Sequence, residues 1–266
     1  MNPPVALTIA GSDSGGGAGI QADLKTFSAL GAYGASVITA LTAQNTKGVT
    51  AIHDVPAAFV AAQIDAVFSD LDVKAVKIGM VSQRPVIAAI ADGLARWGQT
   101  KVVLDPVMIA TSGDKLLAAD AIDMLKRVLI PRALVITPNL PEAAALLDAP
   151  IAENEAEMQA QGERLLALGA QAVLIKGGHG HGPESVDLLI SPTAFARLAA
   201  DRVATANTHG TGCTLSSAIA AGLAKGQTLS EAVSAAQGYV TAALAASERI
   251  KIGSGHGPVH HFQAWW

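Results

Sequence analysis

Five times along this chain a short apolar run stops at a glycine or a polar residue, and that repetition constrains the fold most. The runs cover 5–10, 75–78, 101–104, 134–137 and 173–176; they end at a glycine-rich loop, Gly79, Asp105-Pro106, Pro138-Asn139 and Gly177-Gly178. Short β-rich runs with polar residues past their C-terminal ends are the pattern of buried parallel strands. Helical spacing fills the gaps. Ile20, Leu24, Phe27 and Leu30 share one face until Gly31 stops them, Pro56 opens a helix over 56–68, and Ser82 reads as the cap of a helix running towards Trp97. Residues 36–41 read as a second strand, 51–55 as a third, and 185–190 with 195–198 as an antiparallel hairpin. Helices follow near 212–225 and 229–250. Such βα alternation predicts an α/β fold with a mostly parallel sheet covered on both faces, and its ligands belong beyond the carboxyl ends of the strands.

Composition narrows the function. With 266 residues and no linker, repeat or low-complexity tract, one domain over 1–266 is expected. The net charge of −4 and the absence of a basic stripe argue against nucleic-acid binding. The alanine-rich stretches are interrupted by Gly, Ser, Gln, Lys or Glu well before the roughly 20 apolar residues of a membrane span, and the N-terminus lacks the basic and apolar regions of a signal peptide. A single cysteine, Cys213, excludes an internal disulfide and fits a reducing compartment.

The strongest local signal is Thr208-His209-Gly210-Thr211-Gly212-Cys213, followed at once by a helical pattern. Glycines that turn N–H groups inward, backed by a helix N-terminus, suit an anion hole for a phosphoryl group in transfer; the ordinary alternative is a glycine-rich helix start. Cys213 in the first helical turn is expected to have a lowered thiol pKa. It could accept a proton from a substrate hydroxyl, act as a nucleophile with His209 or His179 as base, or be a small buried hydrophobe. Asn139-Leu140-Pro141-Glu142 follows a strand, so Glu142 could hold Mg²⁺ through water, or Asn139 could cap the helix with Glu142 complementing its dipole. Lys176 at a strand end can reach a phosphate, and Asp105 can orient a metal or cation or cap a turn. Gln44 offers a donor and an acceptor that match an aminopyrimidine edge. The loop over 11–19 is not a P-loop, since no Lys-Ser or Lys-Thr follows its glycines. Its dinucleotide-fingerprint match lies too far past the strand and lacks an acidic partner, and Asp13 stands where a nucleophile elbow needs serine. It remains a place where backbone must approach something closely.

Taken as an ordered set, residues 8–25, 40–46, 77–80, 105–108, 137–142, 176–179 and 209–217 resemble the hydroxymethylpyrimidine/phosphomethylpyrimidine kinases of the ribokinase superfamily over nearly the whole chain. The resemblance implies a ribokinase-like three-layer αβα sandwich. It implies two Mg-ATP-dependent phosphorylations of 4-amino-5-hydroxymethyl-2-methylpyrimidine, to the monophosphate and then to the diphosphate used in thiamine biosynthesis. By the same resemblance Gln44 reads the pyrimidine edge, with Asp23, Met80 and Val107 lining its pocket. Gly210, Thr211 and Gly212 hold the transferring phosphoryl group, and Cys213 is the base candidate where most of the superfamily has aspartate. Lys176 contacts the ATP phosphates with Asp105 nearby, and Asn139 and Glu142 position Mg²⁺. A cytoplasmic homodimer is implied. The rival readings are a pyridoxal or pyridoxine kinase of the same fold, a cysteine hydrolase, and a non-catalytic binding protein.

Overall fold

A computed structural model describes residues 2–108, 119–178 and 182–266. Among the described residues nine strands form one sheet in the order β3-β2-β1-β4-β5-β6-β7-β8-β9. The central strands β2 (Tyr33–Asn45), β1 (Val5–Asp13), β4 (Val73–Ile78), β5 (Val102–Leu104), β6 (Val135–Ile136) and β7 (Val173–Lys176) are mutually parallel. The edges are antiparallel: β3 (Gly48–Asp54) on β2, and the hairpin β8 (Glu184–Ile190) and β9 (Phe195–Asp201) on β7.

Side-chain alternation along these strands builds two cores. Leu7, Ile9, Val76, Ile78, Leu104 and Ile175 face one layer of helices: α2 (Ala57–Phe68), α3 (Arg84–Arg96), α4 (Ala119–Met124), α5 (Leu140–Leu147) and α6 (Glu155–Leu166). On the opposite face Ala6, Ala75, Val103, Val135 and Ala172 are smaller. They meet α1 (Gly19–Ala29), α7 (Thr211–Ala224) and α8 (Leu229–Ala245). Small side chains on that face and the Ala, Gly and Ser of α7 let the helix settle close to the sheet, which carries its N-terminus over the strand ends. This is the expected three-layer α/β sandwich.

The differences from the sequence reading are local. Ser82 does not cap α3: its hydroxyl donates to Asp54 Oδ1 at 2.8 Å, and Gln83 occupies the cap position without a side-chain bond. Pro56 is the residue before α2 rather than its first turn. The strand read as 36–41 runs on to Asn45, because β3 folds back and pairs with its second half. The last helix ends at Ala245 and a 3₁₀ turn over Ser247–Arg249 follows. Gly31, at φ 77°, does end α1. No helix among the described residues is long and apolar enough to cross a membrane.

Candidate active site

Between β1 and β4 the chain direction through the sheet switches, leaving a crevice at the strand ends. A cavity of about 90 Å³ lies there, walled by Gly11, Thr42, Gln44, Met80, Val107 and Cys213 among others. Gln44, Met80 and Val107 thus meet as expected, although Gln44 sits within β2, opposite Val49, not past its end. Thr42 Oγ1 lies 2.9 Å from Ser12 O and 3.0 Å from Gln44 Oε1, and its one hydrogen is shared between them, which holds the Gln44 amide at the cavity wall. Gly11 keeps this space open, since a Cβ there would lie 2.5 Å from the Met80 methyl. Asp23 is the exception. Its side chain is wholly buried behind the cavity, bound to Lys77 Nζ at 2.9 Å from both oxygens and to Thr8 and Ser217, so it does not line the cavity wall.

The glycine-rich loop closes this cavity against the start of α7. The Asp13 carboxylate accepts from the N–H groups of Gly15, Gly17 and Ala18 and meets His209 Nε2 at 2.9 Å. Burial would raise its pKa, yet the His209 bond and these amides hold it below the usual carboxylate range. Sequence reasoning gave Asp13 no role; its sole signal was a lone acid inside a glycine run. Gly210 caps α7 at φ 81°, and a Cβ on it would stand 1.9 Å from the Gly17 carbonyl oxygen. Only glycine permits that approach; the Thr211 N–H donates to Thr208 O at 3.2 Å, and those of Gly212 and Cys213, with no backbone partner among the described residues, are open to an anion.

On the other side of this helix end lies a larger cleft of about 430 Å³. Its walls include Asn139, Lys176, Asp187, Arg202, Thr211 and Gly212. Lys176 Nζ binds Asp105 Oδ1 at 2.8 Å and stands 4.0 Å from Glu142. A Cβ on Gly212 would lie 3.3 Å from Lys176 Nζ and 3.7 Å from Asp105, so these charges sit directly beneath the helix end. Asp105 is only 1 % exposed and also accepts from Thr137 and Ser216. It is the counter-ion of Lys176. Burial would raise its pKa, but Lys176 and Lys77 hold it low. Burial would likewise discharge Lys176, and Asp105 keeps it protonated.

Asn139 and Glu142 form a reciprocal capping box on α5: Glu142 N–H donates to Asn139 Oδ1 at 2.9 Å and Asn139 N–H to Glu142 Oε2 at 2.8 Å. The Asn139 oxygen is therefore committed. Burial pushes the Glu142 carboxyl up to about 7, against the pull of Lys176. A carboxyl with a raised folded pKa holds its proton more tightly than in the unfolded chain, so between about pH 4.5 and 7 it lowers stability as pH rises. Glu142→Gln keeps an acceptor for the cap. In metal-free buffer it should flatten the fall in melting temperature from pH 5 to 8; an unchanged slope would remove Glu142 from that balance.

Cys213 departs from expectation. Burial pushes its thiol up to about 11; Lys77 opposes this, and Asp23 and Asp105 reinforce it. Helix position alone does not outweigh desolvation. The hydrolase reading lacks its proposed base here, since the Nε2 of His209 is committed to Asp13. His179, the other base considered, lies outside the described residues.

The comparisons agree with this geometry. The phosphomethylpyrimidine kinase family model matches residues 13–260. A hydroxymethylpyrimidine/phosphomethylpyrimidine kinase from Rhizobium meliloti is 65 % identical over 262 residues, 98 % of each chain. The crystal structure of phosphomethylpyrimidine kinase from Clostridium difficile superposes with a TM-score of 0.80 at 48 % identity, covering 90 % of this chain and 98 % of that one. An ADP complex of Bacillus subtilis pyridoxal kinase gives 0.91 at 35 % identity over 99 % of both. Fold and sequence together place this chain in the phosphomethylpyrimidine kinase family.

Proposed function

We propose that this chain transfers the terminal phosphoryl group of ATP to the hydroxymethyl group of 4-amino-5-hydroxymethyl-2-methylpyrimidine, then a second one to the resulting monophosphate, for thiamine diphosphate biosynthesis. The observation that carries it is the meeting of two cavities at one helix N-terminus. Thr211 and Gly212 face the larger cleft, Cys213 and His209 the smaller, and only the turn over 209–213 separates them. ATP in the larger cleft and an alcohol in the smaller would bring donor and acceptor together over the N–H groups of α7. Phosphoryl transfer asks for such positioning and charge stabilisation more than for covalent chemistry.

The residues take these roles. Gln44 reads the aminopyrimidine edge and Met80 and Val107 pack its ring. Gly210, Thr211 and Gly212 hold the phosphoryl group, Lys176 meets the phosphates, and Cys213 orients or deprotonates the hydroxyl. Among the described residues no three His, Cys, Asp or Glu side chains cluster as a metal cage. That fits a Mg²⁺ held through water and phosphate oxygens, and the buried Glu142 carboxyl beside the cleft fits as its anchor. Mg²⁺ would neutralise phosphate charge, Glu142 would hold it, and Asn139 would fix Glu142. The chain would act as one kinase domain, in a cytoplasmic homodimer as the resemblance implies.

Two variants test these roles. Gln44→Ala should raise the pyrimidine KM about tenfold or more, the loss of hydrogen bonds to a buried partner, with the ATP KM nearly unchanged; an unaltered pyrimidine KM would refute the assignment. Cys213→Ser should lower kcat about 10²-fold, in the range of a lost proton acceptor, while both substrates still bind; near-normal turnover would take Cys213 out of the mechanism.

One observation favours a second activity. The superposition on a pyridoxal kinase is closer than that on the phosphomethylpyrimidine kinase despite lower identity. ADP release with Mg-ATP should be compared for the pyrimidine alcohol, its monophosphate, pyridoxal and no acceptor. Turnover with both pyrimidines and little with pyridoxal is expected; strong pyridoxal turnover would support the second reading, and none with any acceptor would refute both.

A further inference from the structure

One charge pair, Lys77 with Asp23, is cut off from solvent entirely. Lys77 interrupts the apolar run Ala75-Val76-Lys77-Ile78 of β4, and its side chain, like that of Asp23, is 0 % exposed. Each Asp23 oxygen accepts twice: Oδ1 from Lys77 and Ser217, Oδ2 from Lys77 and Thr8. Lys77 has a third N–H, with no bonded partner among the described residues. Replacing a buried ion pair by apolar side chains is often neutral or stabilising, so stability gives no reason to keep one.

Its position supplies a reason. Lys77 underlies the floor of the acceptor cavity that Cys213 walls. Glycine at 79 makes room for it, since a Cβ there would stand 2.8 Å from Lys77 Nζ. Ser217, which binds Asp23, lies four residues after Cys213 on α7, so both project from one face of that helix, one turn apart. Cys213 therefore stands one turn above the pair. The other charges near it are Asp105, which is neutralised by Lys176, and, across the cavity, Asp13 with His209.

We infer that Lys77, fixed in place by Asp23, is a positioning residue that supplies the counter-charge for Cys213 during phosphoryl transfer. This rests on Cys213 as the proton acceptor. The thiol first loses its proton to water. The thiolate then takes the proton of the acceptor hydroxyl as that oxygen bonds to phosphorus and the bond to the ADP oxygen breaks. Lys77 stabilises the thiolate between these events. Lys77 is also the charge that holds the thiol down, against burial, Asp23 and Asp105.

Cys213 is the sole cysteine, so alkylation by iodoacetamide reports on it alone. Between pH 7 and 10 the folded Lys77→Met variant should be alkylated about tenfold more slowly than the parent at each pH, the effect of one unit in thiol pKa. Its kcat near pH 7.5 should fall about tenfold, the deficit narrowing at higher pH, with the ATP KM unchanged. Loosened packing would speed alkylation instead, so the sign separates charge from structure. Should Lys77→Met not fold, Lys77→Met with Asp23→Asn, which leaves no buried charge unpaired, is compared with Asp23→Asn alone, so that only the Lys77 charge differs, and the same slowing is expected. Equal or faster alkylation in a folded variant would overturn the inference. Turnover of Cys213→Ser tests the underlying proton-acceptor role separately.

Discussion

Gly210→Ala should lower kcat about 10²- to 10³-fold, the loss seen when one donor of an anion hole is removed. Gly210 stands at φ 81°, where a side chain is strained, and its Cβ would come within 1.9 Å of the Gly17 carbonyl. Neither partner is a flexible side chain that could swing away. The loop over 15–18 is fixed by Asp13, and residue 209 is tied to the chain's end by His209 N–H to Gly257 O at 3.0 Å. The helix end must therefore move, and displacement of reacting groups by about 1 Å costs about 10²-fold. Because the loop also closes the acceptor cavity, the pyrimidine KM should rise with the loss of kcat. Steady-state kinetics on protein shown to be folded by its melting curve would decide it; a kcat within a few-fold of the parent would mean that Gly210 does not shape the transfer site.

Lys176→Met should be damaging in both stability and rate. The ammonium group lies 2.8 Å from Asp105 and 4.0 Å from Glu142, and removing it takes away the cation that these two buried carboxyls share. Breaking a buried pair from one side costs about 3–5 kcal/mol, or roughly 10 °C in melting temperature for a chain of this size. Loss of the phosphate contact should lower kcat/KM for ATP by 10²-fold or more, since a charged hydrogen bond in a dry site is worth about 3 kcal/mol or more. Mg²⁺ with ATP should restore part of the lost stability, because the cation would return positive charge to Glu142. A variant that melts like the parent and turns over ATP normally would show that Lys176 has neither role.

The strand ends were legible in the sequence because both sheet faces are buried, so each central strand is an apolar run with an abrupt polar stop. Asp105, Asn139, Lys176 and the glycines of 210–212 could be grouped on that basis before any coordinate. The β2–β3 hairpin was harder. Beyond Ala40 its faces are partly exposed, as at Leu41 and Ala43, and the apolar signal fades just where Gln44 lies. Helices α4 and α6 were not read at all; the first passes into a π turn over Leu125–Leu129 and then a 3₁₀ turn over Ile130–Arg132. Two buried pairs were equally invisible. Asp23 with Lys77 and Asp13 with His209 are 54 and 196 residues apart, and no local period links them. A lysine inside a buried strand was the one hint of the first. The thiol of Cys213 went the wrong way for a related reason: helix position is local, whereas the surrounding protein that desolvates it is not.

The most direct test of the central claim is to follow the pyrimidine alcohol by mass spectrometry during incubation with Mg-ATP. The account expects a product carrying one phosphoryl group, then its conversion to a product carrying two, with one ADP released for each. A pyrimidine that gains no phosphoryl group while ATP remains intact would contradict the assignment of the two cavities as acceptor and donor sites.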